Sequence, residues 1–445
     1  MASPASVLAR LPAVRLHAPQ ILWGMAEYFA YPLLMFLATP FFLSQLGKEQ
    51  YGQWMLMLAF TGFGGVAGLG MGAATIKEVS AHRGRGDLAG AAKAVRACFA
   101  VTLASSLCLA AVILLLAFFA GASWLSRVGD PEAVRRVIGF AAALVTLEQI
   151  DTVFAGTIRG MERFDVAAKI EMSSKFVIVL VAIVAAWISR DLVTIFWSVL
   201  AVTVLRAAAK ATLASMLLKT ASLTPVWDRA YVKEAIRFGK WAWVQSIGTA
   251  LFSTADRLLI GSLLGSTALA QYSVCLQLAQ QVHTVPAAGA GFVFPLVSRR
   301  IQAGENIRRI GLGATVAFGL FAAALATPLI FFSHEILELW IGRDFADQNA
   351  TLLRWLTIAF VILALNIGPY FLLLGANVAR FVALVVVLGG ALGLLAGLLF
   401  IPRLGLIGAV AVRIVYGIIT SSTVFAMLSV TDKHDNTDVS RGDGA

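Results

Sequence analysis

Charged side chains are scarce in this chain of 445 residues. Asp, Glu, Lys and Arg make up only 13% of the sequence, whereas soluble domains carry about 25%. Hydrophobic residues make up 59%, and the mean hydropathy is +0.85. This composition excludes a water-soluble globule. The longest polar stretch between apolar segments, near 219–234, is too short to form a soluble catalytic domain.

Motifs for catalysis and metal binding are also missing. The sequence contains no GxxxxGK[ST] phosphate loop, no Asp-x-Asp and no His/Cys/Glu cluster with metal spacing. Its three cysteines, Cys98, Cys108 and Cys275, lie in apolar segments without paired spacing, so we expect small packing residues. We therefore predict no enzyme activity, no metal and no bound cofactor, and we leave coupling to H⁺ or Na⁺ open.

Apolar runs long enough to cross a bilayer, which takes about 20 residues, recur along almost the whole chain. They predict an all-α integral membrane protein with twelve transmembrane helices. The predicted spans are 20–44, 52–76, 97–121, 134–157, 167–189, 192–217, 236–264, 269–295, 309–333, 350–375, 379–400 and 404–428.

The distribution of basic residues indicates the orientation. With both termini in the cytoplasm, about 25 of the 35 Lys and Arg residues fall on the inner side and 9 on the outer side, with Arg413 inside a span. This is the positive-inside pattern. It explains the net charge of +11 without a nucleic-acid partner.

The first half of the sequence repeats in the second at an offset of 218 residues. Segment 44–87 aligns with 262–305 without a gap, and eight of the 44 positions are identical. The identical pairs are Ser44/Ser262, Leu46/Leu264, Gly47/Gly265, Gln53/Gln271, Leu58/Leu276, Val79/Val297, Ser80/Ser298 and Gly86/Gly304. Six spans return the chain to its starting side, so both halves have the same orientation.

This pattern predicts two six-helix bundles related by a pseudo-two-fold axis along the membrane normal. The predicted domains are an N-terminal lobe at 1–218, a cytoplasmic linker at 219–234, a C-terminal lobe at 235–430 and a disordered tail at 431–445. Glycines at four-residue spacing predict close helix packing. They are Gly64, Gly68 and Gly72 in the second span and Gly389, Gly393 and Gly397 in the eleventh.

Basic side chains inside spans suggest an anion site, because such residues cost from about 2.5 to over 10 kcal/mol in the membrane. Arg206 and Lys210 lie one turn apart on one face of the sixth span. Arg257 in the seventh span follows Asp256, and adjacent helical residues do not face each other. The alternative for the Asp256-Arg257 pair is a structural tie between helices. Lys240 and Arg413 also fall within spans, where they line a cavity or serve packing.

Acidic side chains inside spans are candidates for ion coupling. Glu148 and Asp151 share a face of the fourth span, and two close carboxylates in a low dielectric do not both ionise readily. They are candidates to hold a proton or cation, or else they pair with Arg159 or Lys175. Glu27 in the first span is a third candidate.

Several segments at matching places resemble the Wzx-type polysaccharide-biosynthesis and O-antigen flippases of the multidrug/oligosaccharidyl-lipid/polysaccharide (MOP) exporter superfamily. They are Gly47 with YGQW at 51–54, FGKW at 238–241, DRLLIG at 256–261, QYSV at 271–274 and FPLVSR at 294–299. DRLLIG is the most specific of these segments. The likeness covers the whole chain in topology and is concentrated in spans 1–2 and 7–8 in sequence.

The resemblance implies a MATE/MOP-like fold with a central cavity. The implied cargo is an undecaprenyl-diphosphate-linked oligosaccharide, carried by alternating access to the periplasmic leaflet of the bacterial inner membrane for O-antigen, capsule or exopolysaccharide assembly. Arg206, Lys210, Arg257 and Arg413 would bind the diphosphate. Two negative charges moving out of a cell that is negative inside gain roughly 4–5 kcal/mol per 100 mV. A polysaccharide polymerase and chain-length proteins are the implied partners.

Three alternatives stay open at this stage. A lipid II flippase would differ in cargo, and a MATE-type multidrug exporter would need acidic residues in its cavity. A membrane glycan polymerase would need a sizeable periplasmic loop, and the predicted outer loops are short.

Overall fold

The computed structural model describes residues 12–119, 129–290, 307–375 and 379–428. Side chains are described within these ranges except at 12–30, 238–242, 245, 307–310, 374–375 and 379. The helices are α1 Pro12–Gly62, α2 Gly64–Ala67, α3 Met71–Gly84, α4 Leu88–Phe119, α5 Pro131–Gly160, α6 Phe164–Ser189, α7 Leu192–Leu217, α8 Arg229–Ser253, α9 Ala255–Leu264, α10 Ser266–Ala279, α11 Ile307–Phe331, α12 Ser333–Trp340, α13 Arg343–Ala364, α14 Ile367–Gly375, α15 Ala379–Leu404 and α16 Leu406–Thr420. Residues 281–290 and 422–428 are also helical.

The helices confirm an all-α membrane protein. Nine helical stretches in the described part of the chain are long and apolar enough to span a bilayer, and they correspond to nine of the predicted spans. The first two predicted spans fall in a tenth candidate, a helix pair bent by 44°. The eighth, 269–295, extends beyond the described residues. The count of twelve is consistent with these helices.

The chain forms two compact units, which we describe separately. In described residues, the first comprises 12–47, 64–119 and 135–243, and the second comprises 48–63, 129–134, 244–290, 307–375 and 379–428. The lobe boundaries predicted from the repeat, at 218 and 235, stay a prediction. The compact units join parts of both halves, because 48–63 and 129–134 belong with the second unit.

The core of the first unit forms where α3, α4 and α5 meet. Val79, Val95 and Val153 are fully buried there, and the rings of Phe99 and Phe154 meet edge to face at 5.3 Å. Helix α4 begins after Asp87, whose carboxylate accepts a hydrogen bond from the Gly90 N–H at 2.8 Å. That hydrogen bond, followed by the one from His82, lowers the pKa of Asp87.

The second predicted span is broken rather than continuous. Helix α1 ends at Gly62, the single turn α2 follows, and α3 starts after Leu69 and Gly70, which both have positive φ. Glycine is required in this segment because a neighbouring helix leaves no room for a Cβ. A Cβ at Gly64 or Gly68 would lie within 2.7 Å of the Gln149 side chain of α5. The predicted close packing of this glycine series is therefore confirmed.

The six turns between odd-numbered and even-numbered predicted spans share one backbone feature, a residue with positive φ. These residues are Gly47, Gly129, Arg190, Gly265, Gly342 and Gly405. Gly47 and Gly265, which align in the repeat, have nearly the same conformation, with φ/ψ of 74°/173° and 88°/177°. Only glycine adopts this region readily. The two copies of the sequence repeat therefore share the same backbone conformation at this turn.

The second unit includes the first half of the second predicted span. Residues 48–62 lie against α9 and α10, and a Cβ at Gly52 would be 1.8 Å from the Ser266 carbonyl oxygen. Leu56 contacts Gly261, and Gly62 lies against Thr254. Glycine at 52 and 62 is required because two backbones approach this closely.

Helix α13 lies at the centre of the second unit, against α10, α11, α12 and α16. The helix is interrupted between α13 and α14. Pro369 lies in the first turn of α14, and the Asn366 carboxamide accepts a hydrogen bond from the Thr423 hydroxyl. Helices α15 and α16 pack along the second glycine series, in which a Cβ at Gly393 would be 2.9 Å from the Val412 carbonyl oxygen. This close packing was also predicted.

The backbone contact at Gly52 predicts a large effect of one methyl group. We expect Gly52→Ala to lower the free energy of unfolding by about 1–3 kcal/mol or more, because the clash is with backbone and no side chain can move aside. The midpoint of thermal unfolding in detergent measures this. Gly139→Ala is the control, since a Cβ at this helical glycine meets nothing within 4 Å. Alanine there should be neutral or stabilising, and equal destabilisation of both variants would contradict the contact.

Candidate functional site

Six ionisable side chains gather inside the first unit, where α5, α6 and α7 lie side by side. Three are carboxylates and three are cations, so their formal charges balance. They are Glu148, Asp151, Glu171, Lys175, Arg206 and Lys210.

Lys210 is the centre of this charge cluster. Its side chain is 1% exposed, and its Nζ lies 2.7 Å from both Asp151 Oδ2 and Glu171 Oε2. These are short, charge-assisted hydrogen bonds. Two carboxylates of the chain itself therefore neutralise Lys210.

Arg206 meets the same two carboxylates at longer range. Its Nε lies 3.5 Å from Asp151 Oδ2 and its Nη1 lies 3.5 Å from Glu171 Oε1. Arg206 Nε and Asp151 Oδ1 are buried and have no hydrogen-bond partner in the described part of the chain. Glu148 is close enough to Arg206 to interact electrostatically, and Lys175 lies 3.6 Å from Glu171. The arrangement is electrically balanced but incompletely hydrogen-bonded.

The structure thus joins two groups that the sequence treats separately. Arg206 and Lys210 were predicted to attract an external anion, and Glu148 and Asp151 to hold a proton or cation. The packing of α5, α6 and α7 brings all four together, with Glu171 as a further member. A diphosphate at Arg206 or Lys210 would have to compete with carboxylates that already occupy them.

A second charged network lies inside the second unit. Asp256 is completely buried, and its Oδ2 lies 2.5 Å from Arg413 Nη2. The Tyr272 hydroxyl donates a hydrogen bond to the same carboxylate and accepts one from Arg413 Nε at 3.3 Å. Three helices, α9, α10 and α16, are tied together by these groups, in agreement with the alternative reading of Asp256 as a structural tie.

Aromatic rings enclose the Arg413 guanidinium. It lies 4.5 Å from the ring centroid of Phe252 and 5.6 Å from that of Phe360, and Tyr416 stacks on Phe252 at 4.1 Å. Such cation–π contacts stabilise a desolvated cation. Arg413 is therefore held from several sides by groups of its own unit.

Asp256 and Arg257 follow a break in the seventh predicted span. Helix α8 ends at Ser253 and α9 begins at Ala255, with Thr254 outside helical geometry. The Gly62 backbone lies against Thr254, where a Cβ would be 2.4 Å from the hydroxyl oxygen. Asp256 is in the first turn of α9, where the helix dipole favours a negative charge.

Arg257 differs from Arg206, Lys210 and Arg413 in the contacts of its side chain. Its backbone N–H donates to Asp256 Oδ1 at 2.8 Å, but its guanidinium has no ion pair or hydrogen bond among the described residues, and its Nε is buried. Arg206, Lys210 and Arg413 each lie within 4 Å of a carboxylate. Among the predicted cations whose side chains are described, Arg257 is thus the one without an ion pair.

Two predicted site residues have side chains that the structure does not describe, and one member of the second charged network was not predicted as a site residue. The side chains of Glu27 and Lys240 are not described. Tyr272 was selected only as part of the QYSV segment at 271–274, and its role depends on a neighbour in α16 that the sequence does not reveal. In the part of the chain that the structure describes, no group of three His, Cys, Asp or Glu side chains is placed to hold a metal ion.

The family comparison decides the affiliation of the chain. Residues 45–349 match the model of the polysaccharide biosynthesis protein family Polysacc_synt_3. The chain belongs to this family. The matched segment contains both charged networks except Arg413, and the predicted membership of a polysaccharide-biosynthesis family is confirmed.

Two named relatives agree with the family. A Shigella flexneri protein named as a candidate O-antigen transporter is 21% identical over 365 residues, which are 82% of this chain and 86% of the relative. The uncharacterised membrane protein EpsK of Bacillus subtilis (strain 168) is 25% identical over 162 residues, or 36% of this chain and 32% of that protein.

Solved structures show the fold. An inward-facing multidrug resistance MATE family transporter of the MOP superfamily superposes with a TM-score of 0.70 at 16% identity, over 93% of this chain and 99% of that chain. An outward-facing MATE transporter of the same superfamily gives 0.61 at 14% identity, over 98% and 100%. The predicted MATE/MOP-like fold is confirmed, and the chain is a multi-pass membrane protein.

Lys210 is predicted to be essential for stability. Lys210→Met leaves Asp151 and Glu171 without their shortest ion pairs, and we expect a loss of about 3–5 kcal/mol because buried charges become uncompensated. Chemical unfolding in detergent measures this. The double variant Lys210→Met/Asp151→Asn should recover part of the loss.

The matched control is Lys93→Met, at an exposed position of α4. We expect it to unfold at the wild-type midpoint. If Lys210→Met did the same, the ion pairs of Lys210 would not be important for stability.

Proposed function

We propose that this protein is a flippase that carries an undecaprenyl-diphosphate-linked oligosaccharide from the cytoplasmic to the periplasmic leaflet by alternating access. Three findings support this: the polysaccharide biosynthesis family, the name of the Shigella flexneri relative and the fold of MOP-superfamily transporters. The product would be a surface polysaccharide such as O-antigen, capsule or exopolysaccharide. The membrane would be the bacterial inner membrane, with both termini in the cytoplasm.

The single observation that supports the proposal most is the state of Arg257. An arginine inside a membrane protein normally pairs with a carboxylate, yet this guanidinium has no such partner among the described residues. A diphosphate supplies the missing negative charge and accepts paired N–H bonds from the planar guanidinium. We therefore infer that Arg257 is the first ligand of the diphosphate.

The neighbours of Arg257 would hold it in place. Asp256 accepts the Arg257 N–H and is fixed in turn by Arg413 and Tyr272. Because Arg413 is neutralised by Asp256, the network adds little net positive charge of its own. In this proposal Arg413 and Asp256 act on the cargo mainly through the position of Arg257.

The remaining site predictions are proposals about the same transport cycle. Arg206 and Lys210 would bind the diphosphate only after Asp151 and Glu171 release them. Glu148 and Asp151, which lie beside these cations, stay candidates to hold the proton or cation that couples transport. Glu27 and Lys240 stay candidates on sequence grounds. A polymerase and chain-length proteins would use the product.

Arg257→Gln is predicted to separate transport from stability. We expect flipping to fall about tenfold or more, the equivalent of a charge-assisted hydrogen bond. Unfolding should change little, because no carboxylate loses its partner. Arg413→Gln should instead lower the unfolding midpoint strongly, since Asp256 becomes an uncompensated buried charge. The assay follows a fluorescent undecaprenyl-diphosphate oligosaccharide from one leaflet of a proteoliposome to the other.

The control is Arg135→Gln, at an exposed position of α5, and it should flip at the wild-type rate. Wild-type flipping by Arg257→Gln would contradict the diphosphate site. Transport of lipid II, or of a cationic dye, in preference to the oligosaccharide would replace the proposed cargo. Arg206→Ala is also predicted to reduce flipping, together with a loss of stability from its ion pairs.

A further inference from the structure

The segment that precedes the seventh predicted span is fastened to the start of the third span. Arg96 donates from Nε to the Thr224 carbonyl oxygen at 3.0 Å and from Nη2 to the Thr224 hydroxyl at 3.0 Å. The Val226 N–H donates to the Arg96 carbonyl oxygen at 3.2 Å. Arg96 stands one residue before predicted span 97–121. The predicted span therefore places residues 224–226 at the edge of the membrane.

The first turns of α8 bury one side and expose the other. Leu223, Val232 and Ala235 are buried in the core of the first unit. At 100° per residue, Arg229, Lys233 and Arg237 lie within an 80° sector on the opposite side, one helical turn of about 6 Å apart. All three are exposed. This sector is the α8 basic stripe.

Two cations of the α8 basic stripe have no ion-pair partner among the described residues. Arg229 and Lys233 make no ion pair or side-chain hydrogen bond in the described part of the chain, whereas Arg237 lies 3.8 Å from Glu234. Glu234 is itself shared with Lys77 at 3.6 Å, and Asp228 accepts N–H bonds at the start of α8. The stripe therefore keeps a net positive charge.

Apolar side chains are exposed beside these cations. Trp227 is 60% exposed, Val226 43% and Ile236 46%. Tryptophan prefers the head-group level of a bilayer, where its ring is half in hydrocarbon and its N–H is in water. An exposed tryptophan at the height of Arg96, followed by a basic stripe, matches an interfacial helix that faces anionic lipid.

We propose that the α8 basic stripe and Trp227 form a binding surface for the head groups of anionic phospholipids. The phosphodiester of the lipid would pair with Arg229 and Lys233, and the Trp227 ring would enter the interface next to it. The occupant is a membrane phospholipid, separate from the transported cargo, so the surface does not depend on the proposed function. Bound lipid would hold the segment before the seventh span at the membrane surface.

The test compares two charge-matched variants of the full-length protein in detergent. Dioleoyl phosphatidylglycerol should raise the thermal unfolding midpoint of the wild type by several degrees more than dioleoyl phosphatidylcholine does. Arg229→Gln/Lys233→Gln should lose at least half of this difference, and native mass spectrometry should show fewer retained phosphatidylglycerol molecules. Arg135→Gln/Arg136→Gln removes the same charge from exposed positions of α5 that make no ion pair with the described residues, and it should behave as the wild type.

Three outcomes would overturn the proposal. Arg229→Gln/Lys233→Gln could keep the full phosphatidylglycerol effect, so that the stripe would not be the site. Both double variants could lose it equally, so that net charge alone would explain the effect. Free sn-glycerol 3-phosphate could give the same shift in the wild type, which would indicate a soluble-phosphate site. Trp227→Ala, with the cations intact, should reduce the shift from both lipids.

Discussion

Neutralisation of buried cations by the chain's own carboxylates is the constraint on which both compact units depend. A charged side chain in the membrane interior is tolerated when an opposite charge and hydrogen bonds replace the lost water. Lys210 meets this condition with Asp151 and Glu171, and Arg413 meets it with Asp256 and Tyr272. Each network joins three helices. Ion pairs here fix which helices are neighbours, in a solvent where hydrophobicity distinguishes them poorly.

The same constraint makes an exception informative. Arg257 is in contact with a neutralised network without sharing its carboxylate through its side chain. Carboxylates of the chain pair with Arg206, Lys210 and Arg413, whereas the Arg257 side chain has no such pair among the described residues. The Arg257 guanidinium, next to a helix break and without an ion pair among the described residues, is for that reason the group to which we assign the proposed cargo contact.

The fold was largely predictable from the sequence because membrane helices are long, apolar and separated by short turns. Nine spans were located correctly, and the repeat identified Gly47 and Gly265 as equivalent before their matching dihedrals were known. The break in the second span was not predicted. Hydropathy averages over about 20 residues, so it does not register that Leu69 and Gly70 leave the helical region. The glycines were visible, but their spacing indicated packing rather than a break.

Most of the buried ionisable residues could be selected from the sequence, but their partners on other helices could not. Ionisable residues in apolar runs are conspicuous, so Arg206, Lys210, Asp256, Arg257 and Arg413 could be selected from sequence. Which cation meets which carboxylate depends on the rotation of each helix against its neighbours. Lys210 and Asp151 are 59 residues apart, and Arg413 and Asp256 are 157 apart. The local sequence does not indicate which distant residues pair, and the role of Tyr272 was not predicted for the same reason.

The contact between Gly52 and Ser266 has a consequence for the order of synthesis. Segment 48–62 leaves the ribosome more than 200 residues before the backbone against which it fits. During that interval its close-packing face has no partner from the second unit. Assembly of that unit must therefore wait for late-emerging helices, and the Gly52–Ser266 contact is of the sequence-distant kind that slows folding. A nascent chain stalled near its midpoint would contain segment 48–62 without the later helices against which it packs.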